Sequence, residues 1–283
     1  ALVYFSTGIW YTFQLLYTTY HCRHHIRLQG SVNNNQPSLS ELSAVDQRID
    51  SLQIVRGNPL LQPYTSYQVN LSGEARKGIF TANLWSSYEY RPKAIMDEKF
   101  VEGNRIINTF DNQKSWQRLS VETTLKVKPL KDLLQVSATG GVNHYLSDGN
   151  TYNHEYTNWF YRGDLSFVYK KVMLAFQIQS NWNWFWGENV YGGENYHLLQ
   201  AKYNMKNCSI GLGVFNPFSD NYKVVNENWS QHATIKKANY INESSRLVMV
   251  QFSWNLSFGR KYASAQKKLQ NSDSDSGIVT NSK

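Results

Sequence analysis

The chain has 283 residues, a formal net charge of +8 and a mean hydropathy of −0.53, with 18% charged residues and 9 Trp, 19 Tyr and 13 Phe. No run approaches the ~18 apolar residues of a spanning helix, which excludes a helical membrane protein. The basic residues are scattered singly outside a tail cluster, which excludes a nucleic-acid stripe, and two cysteines (Cys22 and Cys208) are too few for a disulfide framework.

In chain order, segments of strict alternation recur. Phe5, Thr7, Ile9, Tyr11, Phe13, Leu15 and Tyr17 share one parity, and Ile26, Leu28, Gly30 and Val32 follow after a turn at 20–23. The stretch 34–64 has no alternation. Tyr67 to Ala75 and Phe80 to Tyr90 flank a short turn at Arg76-Lys77-Gly78, and a loop over 91–113 leads to Leu119, Val121, Thr123, Leu125 and Val127. Lys128-Pro129-Leu130-Lys131 turns the chain, because proline cannot donate to a ladder. Leu134 to Val142 and Tyr161 to Tyr169 are separated by a polar loop expected over 147–155. Lys170-Lys171 leads to Val172 through Trp182, and a Gly-rich loop over 187–194 leads to Leu199 through Met205. After Asn207 come Ile210, Leu212 and Val214. The last strand carries Val248, Val250, Phe252, Trp254, Leu256 and Phe258 against Gln251, Ser253, Asn255 and Ser257.

Side chains alternate faces in a strand, so each segment has one apolar and one polar face. A soluble sandwich would show the same alternation, but its strands average about 5–6 residues, well short of these. A charge facing lipid costs roughly 2–4 kcal/mol at mid-depth for Arg or Lys, so Glu122, Asp164 and Arg118 must face an enclosed aqueous space and the apolar parity must face lipid. The fold class is therefore all-β: a transmembrane antiparallel β-barrel of about eleven meander strands over 1–259, with short periplasmic turns, long outer loops and a polar, disordered tail over 260–283. The alternation of short and long connections holds if 216–245 is one outer excursion, so Gln231–Tyr240 is read as an extension above the membrane. An odd count implies that further strands close the barrel. No signal peptide is visible and the chain opens in strand-like sequence, so it is expected to be the C-terminal part of a longer exported protein.

Three motifs add a family. Ser38-Leu39-Ser40-Glu41-Leu42 and Asp50-Ser51-Leu52 precede Gly57-Asn58-Pro59-Leu60-Leu61-Gln62-Pro63, which opens a strand. Gly213-Val214-Phe215-Asn216-Pro217-Phe218 closes the penultimate strand, and Ser253-Trp254-Asn255-Leu256-Ser257-Phe258-Gly259-Arg260-Lys261 ends the last. In this order they resemble the barrels of TonB-dependent receptors and related outer-membrane barrels of Gram-negative bacteria. The resemblance implies structural roles for Gly57, Asn58, Pro59, Pro63, Asn216, Pro217 and Phe218. It implies half of a 22-stranded barrel in the outer membrane. As partners it implies membrane lipid, a plug domain of the same parent chain, and the TonB complex through an N-terminal part upstream of Ala1. A strand-ending Phe258 followed by a tail departs from the usual aromatic C-terminus.

The implied function is uptake or binding of a nutrient at the cell surface, TonB-dependent in the parent. A non-transporting adhesion or structural barrel is the alternative, and a barrel enzyme is a third option. No catalysis is expected, since no nucleophile elbow, P-loop or paired carboxylates occur, and no cofactor is expected. His21, Cys22, His24 and His25 are not expected to hold a metal, because His24 and His25 alternate faces. Asp148, Asn150, His154 and Glu155 read as a solvated loop. The aromatic segment around Trp182 is the richest recognition candidate. Trp182, Trp184 and Trp186 share the lipid-facing parity and read as an interfacial girdle. Phe185, Glu188, Tyr191, Glu194 and Tyr196 are the expected ligand contacts, with aromatics and carboxylates suited to a small molecule, a glycan or a peptide.

Overall fold

A computed structural model describes residues 11–19, 23–219, 222–240 and 246–256. The start of the expected first strand, His21 and Cys22 in the first turn, and everything from Ser257 on, including Phe258 and the tail, lie outside the described residues. In chain order, β1 (Tyr11–Thr19) and β2 (Arg23–Asn35) are followed by α1 (Leu39–Leu42), β3 (Gln47–Arg48) and β4 (Gln53–Val55). Next come β5 (Tyr64–Lys77), β6 (Phe80–Pro92), β7 (Ile95–Glu102), β8 (Arg105–Asn112), β9 (Ser115–Val127), β10 (Leu134–Asp148), β11 (Asn153–Tyr169) and β12 (Val172–Gln179). The chain ends with β13 (Trp184–Trp186), β14 (Asn189–Tyr191), β15 (Tyr196–Asn204), β16 (Cys208–Phe215), β17 (Lys223–Asn228), β18 (Ile235–Tyr240) and β19 (Leu247–Trp254).

Eleven of these form one antiparallel wall in the order β1-β2-β5-β6-β9-β10-β11-β12-β15-β16-β19. Its edges, β1 and β19, do not pair with each other among the described residues, so the wall is open. Two four-stranded sheets stand apart from it, β3-β4-β8-β7 and β13-β14-β17-β18. Both are built from the long connections. Ile235–Tyr240 therefore lies outside the wall, as the turn pattern predicts.

The wall is apolar outside and polar inside. Leu71, Leu84, Leu125, Leu165, Leu174, Leu212 and Phe252 are exposed, and Val250 is 72% exposed. Left in water, each such side chain would forgo roughly 1.5–3 kcal/mol of burial. Lipid removes that penalty. On the opposite face, small polar side chains pack closely: Ser87, Ser120, Ser137, Thr139 and Asn143 are all buried. They bond across strands, Ser120 to Asn143 at 2.6 Å, Thr124 with Thr139 at 2.9 Å, and Asp164 accepting from Ser137 and Gln177 at 3.1 Å each. Arg118 reaches Glu89 at 3.1 Å on the same face. The three charged residues that the alternation assigns inward share the parity of this polar face.

Two expectations need correction. The loop expected over 147–155 is a tight hairpin: β10 and β11 stay paired out to Asp148 opposite Asn153. Polar residues fill both faces there because the strands have risen beyond the apolar band, so the ladder continues while alternation fades. Nor do the tryptophans form an outer girdle. Regular β12 pairing stops at Gln179, and the irregular stretch 180–183 resets the parity. Trp182 stacks on inward Phe160 with ring centroids 4.9 Å apart, and Trp184 and Trp186 pack on Trp116.

Candidate ligand-binding cap at the loop end

The dry core of this protein lies at the loop end, on the polar side of the wall. Three wall strands supply inward aromatics there: Trp116 from β9, Tyr145 from β10 and Tyr156 from β11. The short strand β13 crosses over them. Trp116 is fully buried and donates its indole N–H to the Phe185 carbonyl at 3.1 Å. Trp184 and Trp186 tilt against it at 5.5 and 4.9 Å. Ala94, Met96 and Val190 complete the cluster.

A charged layer backs this cluster. Arg91 lies 5.0 Å from the Trp116 ring centre and 4.9 Å from that of Trp186, and Arg118 lies 4.9 Å from that of Trp184. Both guanidinium groups bind Glu89, at 2.6 and 3.1 Å, and its carboxylate is buried. Cation–ring contacts of this kind gain strength when desolvated. The arrangement is a stack of carboxylate, guanidinium and indole that fixes the position of β13.

The two small sheets join above it. Asn189 of β14 donates to Asp97 of β7 at 2.9 Å, Asn228 of β17 donates to Asn189 at 2.6 Å, and Lys99 donates to Asn228 at 2.9 Å. Burial pushes the Asp97 carboxyl above its ordinary value. It does the same for Glu98, with help from the Asp111 charge, and it lowers the Lys99 ammonium. His154 stacks on Tyr152 at 5.0 Å and approaches Glu188 at 3.4 Å.

The expected contacts separate into two groups. Phe185 is fully buried and Glu188 nearly so, and both serve the core. Tyr191 stands 45% exposed and Glu194 is exposed. Tyr196 stacks on Phe215 at 5.6 Å, and Phe215 meets Tyr222 edge-on at 5.7 Å. Burial, together with a hydrogen bond to Glu194, raises the Tyr222 phenol above its ordinary value. Residues that the sequence does not single out are Glu89, Arg91, Trp116, Asp97, Asn189, Asn228 and Tyr222. The signal for the first three was present, since charges and a large ring on the inward parity of the wall require partners.

The motif residues shape the entry to the wall. The Gly57 N–H donates to the Ser43 carbonyl at 2.8 Å, and the Asn58 N–H to that of Glu41 at 2.6 Å. The Asn58 side chain accepts from Leu60 N–H at 2.9 Å, and β5 begins directly after Pro63. Asn216 is buried at a positive φ of 49° and exchanges hydrogen bonds with the His197 backbone at 2.7 and 3.0 Å. Pro217 follows it, and the exposed Phe218 ring contacts His197 edge-on.

Residues 13–254 match the Outer membrane protein beta-barrel family. No curated protein sequence matches the chain. Among solved structures, the chain is similar to the crystal structure of the siderophore receptor PirA from Pseudomonas aeruginosa, with TM-score 0.53 and 16% identity. That similarity covers 86% of this chain and 40% of the receptor, so the chain spans about two-fifths of that receptor's length.

Proposed function

Because the chain belongs to the outer membrane protein β-barrel family and resides in the outer membrane, we propose that it forms part of the wall and outer cap of a nutrient receptor. The wall is the C-terminal half of a larger barrel. Its polar inner face is the bed for a plug domain of the parent protein, and transport in that parent is coupled to TonB. Ligand contacts come from the rim of the cap, the exposed Tyr191 and Glu194 and the half-buried Tyr196, while Phe185 and Glu188 hold the rim in place. The ligand is a small molecule, a glycan or a peptide, and the chain performs no catalysis.

One observation carries this reading. A rigid aromatic and guanidinium cap is seated on the polar side of the wall at the loop end, with aromatic and carboxylate edges left open to solvent. Aromatic faces beside acceptor groups suit chelates, sugars and peptides alike. The experiment is accumulation of labelled ferric chelates, oligosaccharides and peptides by cells expressing the full-length protein, with and without a protonophore. Energised accumulation of one class, lost on uncoupling and on deletion of 184–194, is expected. Surface binding without accumulation would favour the adhesion alternative, and no binding of any class would overturn the receptor reading.

A further inference from the structure

The short-turn rim of the wall has a charge pattern unlike the loop end. Lys77, Lys128, Lys131, Lys170, Lys171 and Lys206 lie in or beside the four turns of the wall between β5 and β16. All six are exposed, and none makes an ion pair among the described residues. Within four residues of those turns the acids are Glu74 and Asp132, and Glu74 is engaged by Arg76 at 2.7 Å. At the loop end, by contrast, acids and cations intermix: Arg56 binds Asp46 and Glu102, and Lys236 binds Glu227.

Depth fixes what this rim meets. On the outer face, exposed aromatics stand beside three of the four turns, Phe80, Tyr169 and Tyr203, and Trp254 ends β19, whereas Val127 and Leu134 flank the β9–β10 turn. Each occupies the terminal or near-terminal pair of its ladder, as in Lys77 opposite Phe80 and Val172 opposite Tyr203. A second outward aromatic level, with Trp159 and Tyr161, lies midway along β11, whose remaining residues to Asn153 rise beyond it. Trp159 and Tyr169 are ten residues apart in the sequence. At about 3.3 Å per residue and a tilt of about 40°, that is roughly 25 Å along the membrane normal, the height of a lipid-facing band between aromatic girdles. The cations therefore begin where the girdle ends, at the level of the headgroups. Hairpins recur every two strands, so the cationic turns are spaced by about 10 Å, comparable to neighbouring headgroups.

We infer that the short-turn rim is a binding surface for the anionic phosphates of glycerophospholipids in the leaflet on that side. The lysines contact phosphate, Lys170 lies 5.2 Å from the Tyr169 ring centre at the girdle edge, and the apolar outer face takes the acyl chains. Three of the six lysines, Lys77, Lys128 and Lys131, also line, with Arg76 and Lys126, an open cavity of about 880 Å³ on the inner side of the same rim, between the β5–β6 and β9–β10 turns. An acidic peptide could enter that basin, but the basic character continues to Lys170, Lys171 and Lys206, beyond it. A planar array of anions accounts for the whole rim.

The test reconstitutes the full-length protein in phosphatidylcholine bilayers with trace spin-labelled phosphatidylglycerol or spin-labelled phosphatidylcholine. Electron spin resonance then gives the motionally restricted fraction of each label. The phosphatidylglycerol label should be enriched severalfold over the other at low salt and approach parity at about 1 M salt, where charges are screened within ~3 Å. The sixfold variant K77Q/K128Q/K131Q/K170Q/K171Q/K206Q should lose the enrichment, while the corresponding six Lys→Arg changes and the loop-end pair K236Q/K237Q should retain it. Heat-modifiable gel mobility reports that each variant is folded, and the salt titration needs no variant. Equal restriction of both labels in the unmodified protein would overturn the inference, as would enrichment surviving in the sixfold glutamine protein. Saturable binding of an acidic peptide without lipid selectivity would reassign the rim to a polypeptide partner.

Discussion

At the scale of single residues, Trp116 and Glu89 hold the cap. Trp116 is buried on every side, donates to a backbone carbonyl of β13 and touches two more indoles. Trp116→Ala should weaken the cap by about 3–5 kcal/mol, the usual range for emptying a large core site. Faster amide exchange over 184–191, with unchanged gel mobility of the folded wall, is the measurement that checks this. Glu89→Ala leaves Arg91 and Arg118 facing each other without a counter-ion, and removing one partner of a buried pair costs roughly 3–5 kcal/mol. Hydrogen exchange of β13 should again report it. The pH response follows from Asp97 and Glu98. Burial raises both folded-state values above those of the unfolded chain, so folding favours the protonated forms. Their contribution is most favourable at low pH and is lost as pH rises through the raised values. Asp97→Asn should accordingly slow exchange in β7 at neutral pH, and the difference should shrink as the medium is acidified.

At the scale of elements, the excursions are ordered by backbone fit more than by hydrophobic pattern. A Cβ at Gly57 would lie 2.5 Å from the Glu41 carbonyl oxygen and 2.6 Å from that of Ser43. Gly57→Ala should therefore push α1 off the turn and loosen the backbone around Arg48 and Arg56 enough for trypsin to cut there. Uncut protein after the substitution would refute this. The elements also explain what could be read in advance. Tyr67 to Ala75, Leu119 to Val127 and Tyr161 to Tyr169 were legible because lipid on one side and water on the other impose a period of two. The strands β7, β8, β13, β14 and β17 were not. Above the bilayer both faces meet water or protein, so alternation no longer encodes which way a residue points. Trp182, Trp184 and Trp186 misled for a related reason, since their parity was extrapolated across the break at 180–183. Phe185 and Glu188 were found as part of an aromatic and acidic cluster, but nothing in their spacing reveals that they lie beneath the exposed rim.

For the whole molecule, the distribution of polarity makes a quantitative demand on the surroundings. Leu165 lies near the middle of the outward band of β11, and Ser166 next to it faces the polar side. Leu165→Arg should destabilise the folded protein in vesicles by about 2–4 kcal/mol, and Ser166→Arg by much less. Urea titration of the full-length protein in bilayers checks both, and equal costs would contradict the assignment of faces.

The convergence of Trp116, Tyr145 and Tyr156 has a consequence for assembly. These rings leave three neighbouring strands and meet only in one alignment of the ladders. A slip by a single residue would swing the slipped strand's ring to the outer face of the wall and leave Phe185 with an incomplete socket. The crown thus depends on register: the outer decoration fits only when the staves beneath it are correctly aligned.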